Sequence, residues 1–160
     1  MAIDYQRMYH QGVRVPDVDA AMVEMGDQLG VTWATVQHNP AQGVWTPEHG
    51  MQHVPLTFVY SKEGPQHIEL LQGPPGTVWD GSEHPGAHHV GVWVDDVAAE
   101  TQACLDAGWT LAAAGAAPED GFGVFTYVVP PSGYIVELVW SAVLPRFEAW
   151  WSGATLGNER

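Results

Sequence analysis

Two histidines and two glutamates recur at matched positions in the two halves of this 160-residue chain. His10 and His89 are 79 residues apart, and each opens a His-x-Gly-Val-x-Val sequence. Glu69 and Glu137 are 68 residues apart, in the similar segments Ile-Glu-Leu-Leu and Val-Glu-Leu-Val. Two imidazole nitrogens and two carboxylate oxygens can bind one divalent ion and leave coordination positions open for water or substrate oxygens.

The residues around these four side chains predict the same order of elements twice, as an internal repeat would. In each half a strand leads to an aspartate that can cap a helix, and three more strands follow. The predicted strands are at 8–15, 32–38, 55–62 and 66–73, then at 87–94, 109–115, 122–129 and 134–140, and the helices are at 18–29 and near 97–107.

The sequence therefore predicts an α+β fold made of two βαβββ modules, at about 8–72 and 87–140. We expect both modules to belong to one domain, residues 1–142, because a chain of this length suits a single core. A tail at 143–160 is predicted to form a short apolar helix.

Alternation along the strands predicts that both repeated histidines point away from the helices. The two glutamates lie in strongly apolar strands, where an unpaired buried charge is costly. If the modules pair about a pseudo-twofold axis, all four side chains converge, and one ion of Zn, Ni, Co, Mn or Fe(II) would compensate the carboxylates. The same alternation places His88 on the helix side or at the strand edge, so we assign the ligand role to His89.

Five further residues are predicted to line a substrate pocket. Arg14 and Trp93 share the face of the candidate ligands in the two opening strands. Phe125 and Tyr127 are on a nearby strand, and His67 shares a face with Glu69, although a plain cavity or surface histidine fits that position better.

The composition restricts the partners of the chain. Nineteen acidic residues against five basic ones give a formal net charge of −14, with no basic cluster. This argues against nucleic acid and against an anionic membrane surface, and less strongly against coenzyme A thioesters. A neutral or apolar small molecule is the expected ligand. One cysteine, Cys104, allows no internal disulfide, so we expect a cytoplasmic protein.

The paired His-x-Gly-Val-x-Val and Glu-Leu strands resemble the vicinal oxygen chelate superfamily, the group of glyoxalase I, methylmalonyl-CoA epimerase, extradiol dioxygenases and bleomycin- or fosfomycin-resistance proteins. The resemblance covers about residues 8–140. It implies a curled mixed β-sheet around a central cavity with a metal, often completed by dimerisation, so a homodimer is expected. It also implies that His10 and His89 match the histidine positions of the family, and Glu69 and Glu137 its carboxylate positions.

The full His/Glu/His/Glu set is similar to glyoxalase I and the epimerase branch. The resemblance then implies a metal-dependent isomerase, epimerase or lyase that transfers a proton through a metal-stabilised enolate or enediolate. By that analogy Glu137 is the catalytic base, and Glu69 is its partner or a ligand. The absence of a basic site argues against glutathione conjugates, so we expect a small, largely apolar carbonyl substrate. The alternatives are a non-catalytic, resistance-type binding protein and an Fe(II) extradiol-type dioxygenase.

Overall fold

The computed structural model describes residues 3–157, and these form two consecutive βαβββ modules, as predicted. The first module contains β1 (Met8–Arg14), α1 (Val18–Leu29), β2 (Gln37–Thr46), β3 (Gly50–Tyr60) and β4 (His67–Gln72). The second contains β5 (Gly86–Val94), α2 (Val97–Asp106), β6 (Thr110–Ala114), β7 (Phe125–Val129) and β8 (Val136–Trp140). A third helix, α3 (Leu144–Trp151), follows the second module.

Both module helices begin where the sequence predicts. The carboxylates of Asp17 and Asp96 accept hydrogen bonds at 2.9 Å from the backbone N–H groups of Ala20 and Ala99. Each bond satisfies a donor that the first helical turn leaves free. The repeated aspartates therefore fix the start of each helix directly after the strand that carries the histidine.

The largest difference from the predicted elements concerns β2. Residues 32–36 were predicted as part of a strand, and this is wrong apart from an isolated bridge between Trp33 and Ser61. The strand instead runs from Gln37 to Thr46 and passes through Pro40, a residue that normally interrupts strands. Its pairing with β3 shifts register between Asn39 and Gln42, and this irregularity accommodates the proline.

The eight strands close into a barrel in the order β1-β4-β3-β2-β6-β7-β8-β5. The modules meet along β1 and β5, which are antiparallel, and close on the other side through one pair, Trp45 and Ala114. Within each module the first and last strands are parallel. The opening histidine strand therefore lies beside the glutamate strand in both halves.

The two module helices cover the outside of the barrel. Val18 of α1 packs with Val59 and Leu70, and Cys104 of α2 packs with Val128 and Leu138. Since side chains alternate along a strand, the other face of each strand points into the barrel interior. The interior is thus left for the aromatic and ionisable side chains.

The predicted C-terminal helix forms and packs against these interior residues. Trp150 of α3 is fully buried, and its indole N–H donates to the carbonyl of Thr35 at 3.0 Å. Its ring lies edge-on to Phe58 and Tyr60. The end of the predicted tail, residues 158–160, lies outside the described residues. Within residues 3–157, none of the helices is sufficiently long and apolar to cross a membrane.

Candidate metal centre

The side chains of His10, Glu69, His89 and Glu137 meet inside the barrel. Their potential ligand atoms all lie within 4.8 Å of one another, and all four residues are buried. The two Nε2 atoms are 2.9 Å apart. Each Nε2 lies 3.1–3.3 Å from an Oε2 atom of both glutamates. The duplicated halves therefore contribute equally to one compact set of four donors.

This set fits a divalent ion. Metal–nitrogen and metal–oxygen bonds of ~2.0–2.2 Å place neighbouring ligand atoms ~3 Å apart, which is the spacing found here. The Oε2 of Glu69 lies 3.2 Å from the Nε2 of each histidine. Two buried carboxylates would be costly unless protons on the imidazoles or a bound cation compensate them. Nitrogen and oxygen donors without thiolate suit Zn, Ni, Co, Mn or Fe(II).

The glycine of each His-x-Gly sequence makes room for the histidine of the other module. In the antiparallel pairing of β1 and β5, Gly12 lies opposite His89 and Gly91 lies opposite His10. A Cβ atom built at either glycine would overlap the facing imidazole ring. The motif is therefore reciprocal, because each copy supplies one ligand and the space for the other.

Replacing Gly91 with alanine should accordingly displace the ring of His10. We expect the overlap to lower the free energy of unfolding by ~1–3 kcal/mol, as overpacking does in other cores, and to weaken metal binding. Urea unfolding and metal titration of Gly91→Ala measure both effects. Gly12→Ala should act similarly through His89, and wild-type stability and metal affinity in both variants would contradict the reciprocal arrangement.

The four groups shift one another's pKa values strongly in the metal-free protein. Burial alone would lower the pKa of His89, but the hydrogen-bonded carboxylates of Glu137 and Glu69 raise it to about 9. Burial alone would raise the pKa of Glu137, but its hydrogen bonds to both histidines lower it to about 2. The same opposition raises the pKa of His10 and lowers that of Glu69. Without metal, imidazolium protons therefore provide the positive charge that the carboxylates need.

These shifts predict the pH dependence of the metal-free fold. The pKa of His89 is raised from 6.5 to about 9, so its contribution to stability is complete below pH 6.5 and is lost as pH rises through 9. The pKa of Glu137 is lowered from 4.5 to about 2, so its contribution to stability is complete above pH 4.5 and is lost as pH falls through 2. Metal-free protein should therefore be most stable between these limits and weaken toward pH 9. Denaturant unfolding across this pH range, with and without metal, measures the free energy of unfolding at each pH.

Bound metal should reverse this trend, because ligands bind metal only after they lose their protons. The stability of the metal-loaded protein should rise from pH 6 to pH 8. Metal-free protein that gained stability toward pH 9 would contradict the paired imidazolium and carboxylate arrangement.

A cavity of about 800 Å³ reaches the carboxylates of Glu69 and Glu137 from the interior of the barrel. Its lining includes the aromatic residues Tyr9, Phe58, Tyr60, Trp79, Phe125 and Tyr127. The pKa of each lining tyrosine is raised above its usual value, first by burial and then by the nearby carboxylates. The phenols therefore remain protonated and can donate hydrogen bonds at neutral pH.

Two of the five predicted pocket residues, Phe125 and Tyr127, line this cavity, and the other three lie outside its lining. Trp93 is stacked at 3.7 Å on Tyr9, which lines the cavity in its place. His67 is stacked on Trp151.

Hydrogen bonds hold two of these outlying side chains in structural roles. The ring N–H of His67 donates to the carbonyl of Ser61 at 2.7 Å. Arg14 donates to the carbonyl of Val78 at 3.3 Å.

Alternation along β5 predicted His88 on the helix side or at the strand edge, and the structure places it differently. In the pairing of β5 with β1, His89 lies opposite Gly12 and Ala87 opposite Val13, so His88 is an extra residue in a β-bulge. The bulge brings its Nδ1 to 3.0 Å from the Nδ1 of His89. Burial, followed by the charges of His89 and Arg14, lowers the pKa of His88 to about 3, so its ring is neutral.

Comparison with known proteins shows the family of the chain. The model of the Glyoxalase/Bleomycin resistance protein/Dioxygenase superfamily matches residues 9–127. The chain belongs to this superfamily. None of the curated proteins matches the sequence significantly.

Solved structures share the fold at low sequence identity. A hypothetical protein from Bacillus halodurans C-125 is 17% identical with a TM-score of 0.60, and the match covers 83% of this chain and 92% of that one. A variant of Streptomyces coelicolor methylmalonyl-CoA epimerase, bound to 2-nitronate-propionyl-CoA, is 21% identical with a TM-score of 0.58 and coverage of 85% and 97%. The epimerase of Mycobacterium tuberculosis is 18% identical with a TM-score of 0.53 and coverage of 83% and 86%. At these identities the likeness shows the fold alone.

Proposed function

We propose that this protein is a metal-dependent isomerase, epimerase or lyase that transfers a proton next to a carbonyl group of a small, largely apolar substrate. The observation that carries the proposal is the meeting of two imidazoles and two carboxylates at the end of an aromatic cavity. His10, His89, Glu69 and Glu137 would hold the ion. When bound, such an ion supplies a Lewis acid that polarises a carbonyl oxygen and makes the neighbouring C–H more acidic.

The glutamates have the position and charge for the proton transfer. Both line the cavity, so their carboxylates reach a substrate within it. A carboxylate beside a divalent cation stays ionised, as a proton acceptor must be at neutral pH. We assign to Glu137 the removal of the substrate proton onto a carboxylate oxygen, and to Glu69 the role of partner or ligand.

Hydrogen–deuterium exchange tests this proposal. 2-Hydroxyacetophenone is a small aromatic α-hydroxyketone whose CH₂ protons are released when an enediolate forms. Protein loaded with Co²⁺, Ni²⁺ or Zn²⁺ should accelerate exchange of these protons in D₂O, followed by NMR, and chelated protein should not. Exchange that is equally fast without metal would contradict a metal-dependent reaction.

One observation supports a second function, the sequestration of an apolar ligand without turnover. The cavity of about 800 Å³ is large enough for a drug-sized molecule. This function predicts that aromatic carbonyl compounds bind to the metal-loaded protein without any acceleration of proton exchange. An oxygen-dependent Fe(II) enzyme would instead consume oxygen with catechol-type substrates.

A further inference from the structure

The aromatic walls of the cavity repeat along the sequence, as the candidate ligands do. Residues 58–60 of β3 read Phe-Val-Tyr, and residues 125–127 of β7 read Phe-Thr-Tyr, at an offset of 67. Each tyrosine lies directly across from the candidate carboxylate ligand of its own module on the next strand. All four rings line the cavity. The two modules therefore provide matched aromatic walls on either side of the carboxylates.

The polar groups of the cavity favour a neutral ligand. Within residues 3–157, Arg146 is the one lysine or arginine in the lining, and its guanidinium donates to the carbonyls of Leu156 and Gly157 at 2.9 and 2.7 Å. Two of the three guanidinium nitrogens of Arg146 are thus engaged by backbone carbonyls and are not presented to a carboxylate or phosphate. The indole N–H of Trp79 donates to the hydroxyl of Tyr127 at 3.0 Å. The proton of that hydroxyl is left to be donated to a substrate oxygen.

We propose that the substrate is a neutral carbonyl compound with a planar aromatic ring. The ring lies between the two Phe-x-Tyr walls, and the carbonyl end points toward Glu69 and Glu137. Aromatic side chains favour offset-stacked and edge-on contacts with such a ring, in addition to the gain from removing its surface from water. This inference rests on the proposed function, because it assumes that the carbonyl end meets the metal ligands.

A matched pair of probes tests the aromatic preference by binding rather than turnover. Benzohydroxamic and acetohydroxamic acids carry the same chelating group and differ in a phenyl or methyl substituent. Their affinities for Co²⁺-loaded protein can be measured from the visible spectrum and divided by their affinities for the free ion. We expect benzohydroxamate to be favoured at least about tenfold, since its ring is buried.

A ratio of one or less in the wild-type protein would overturn the aromatic substrate class. Phe125→Leu should reduce the preference, whereas Trp140→Leu, at an exposed position outside the cavity, should not. An equal loss in both variants would also overturn it. If the reloaded protein holds no ion, the proposed function itself fails. If it holds the ion and binds both hydroxamates equally, only the substrate class fails.

A separate observation concerns the residue that precedes each candidate histidine ligand. Tyr9 occupies in β1 the position that His88 occupies in β5, at the same offset of 79. Both are extra residues in β-bulges. Tyr9 is skipped because Met8 pairs with Val92 and the next pair is His10 with Gly91, just as His88 is skipped between Ala87 and His89. The ring of Tyr9 lies edge-on to His10, with centroids 4.4 Å apart.

The two bulges differ in whether their extra residue forms a hydrogen bond with the neighbouring histidine ligand. His88 brings a ring nitrogen to the Nδ1 of His89, and an edge-on contact with Tyr127 fixes its orientation. Tyr9 offers His10 only its ring, and the buried Nδ1 of His10 has no hydrogen-bond partner in the described chain. Within residues 3–157, only His89 is therefore held by a hydrogen bond at its Nδ1.

We infer that His88 is a positioning residue for the metal centre. Its Nδ1 accepts a hydrogen bond from the Nδ1–H of His89, so the lone pair of His89 Nε2 points toward the other three ligands. Metal-binding histidines generally depend on such a partner for their tautomer and ring orientation, and its loss typically lowers metal affinity ~10–100-fold.

Metal affinity in three variants tests this role. His88→Phe should bind Zn²⁺ at least about tenfold more weakly than wild type and change the visible spectrum of bound Co²⁺. His88→Gln, whose amide oxygen can accept the same bond, should recover most of the affinity. His84→Phe, at an exposed loop position, should bind as wild type.

Wild-type affinity in His88→Phe, or equal weakening by the phenylalanine and glutamine variants, would overturn the positioning role. A wild-type protein that binds no metal would instead remove the proposed metal centre. The experiment therefore separates the two failures.

Discussion

The Glu137→Gln variant, saturated with metal, is expected to exchange the CH₂ protons of 2-hydroxyacetophenone at least about 100-fold more slowly than wild type. The amide cannot accept a proton, and a positioned general base contributes ~10²–10⁴-fold to such a rate. The glutamine side chain keeps a neutral oxygen at the position of the carboxylate, so the ring of His10 still has a neighbour there. NMR in D₂O at saturating Co²⁺ measures the rate.

Glu69→Gln is the matched control for this variant. Both glutamates lie 3.1–3.3 Å from the same two imidazole nitrogens, so both variants lose the same kind of ligand. We expect the Glu69 variant to be the faster of the two once metal is saturating. A slower Glu69 variant would transfer the role of base to that residue. Fast exchange in both would show that neither carboxylate moves the proton.

Replacing His89 with alanine is expected to lower the affinity for Zn²⁺ more than about 100-fold, since even the loss of an outer partner typically costs ~10–100-fold. The variant removes one of four donors and leaves two buried carboxylates with a single imidazole. Competition with a chromophoric chelator measures the affinity. His84→Ala, at an exposed position, should bind as wild type.

The same experiment on His10→Ala compares the two modules. Because the Nδ1 of His10 has no hydrogen-bond partner within residues 3–157, the contribution of His10 should be the smaller of the two. Unchanged affinity in both alanine variants would contradict the assignment of these histidines as ligands.

The sequence predicted the parts of the fold that depend on local, repeated signals. The aspartates at 17 and 96 are visible as helix caps, and the duplicated histidine and glutamate strands predicted two matching modules. Alternation along the opening strands predicted that both histidines face the interior. The reason for the glycine of each His-x-Gly sequence became visible only in the structure, because a ring from the opposite module occupies the space beside it.

The features that the sequence did not predict depend on exceptions to alternation. A β-bulge turns His88 toward His89, and another turns Tyr9 into the cavity in front of Trp93. A bulge needs only one extra residue, which leaves no mark in a hydrophobic pattern. The long β2 strand passes through Pro40 for a similar reason, since its pairing breaks at that point.

Another part of the cavity could have been found from the sequence. Phe58 and Tyr60 repeat the pattern of Phe125 and Tyr127, and each pair precedes one of the duplicated glutamate strands. The expected homodimer and the cytoplasmic location depend on other chains and on the cell, and they remain predictions.

The stoichiometry of bound metal tests the central claim most directly. Wild-type protein stripped with a chelator and reloaded with Zn²⁺ or Co²⁺ should hold one ion per chain after desalting. At a free metal concentration 100 times Kd it should gain about 2.7 kcal/mol of unfolding free energy. A reloaded protein with no bound ion, or one whose ion persists unchanged after removal of both His10 and His89, would contradict the account.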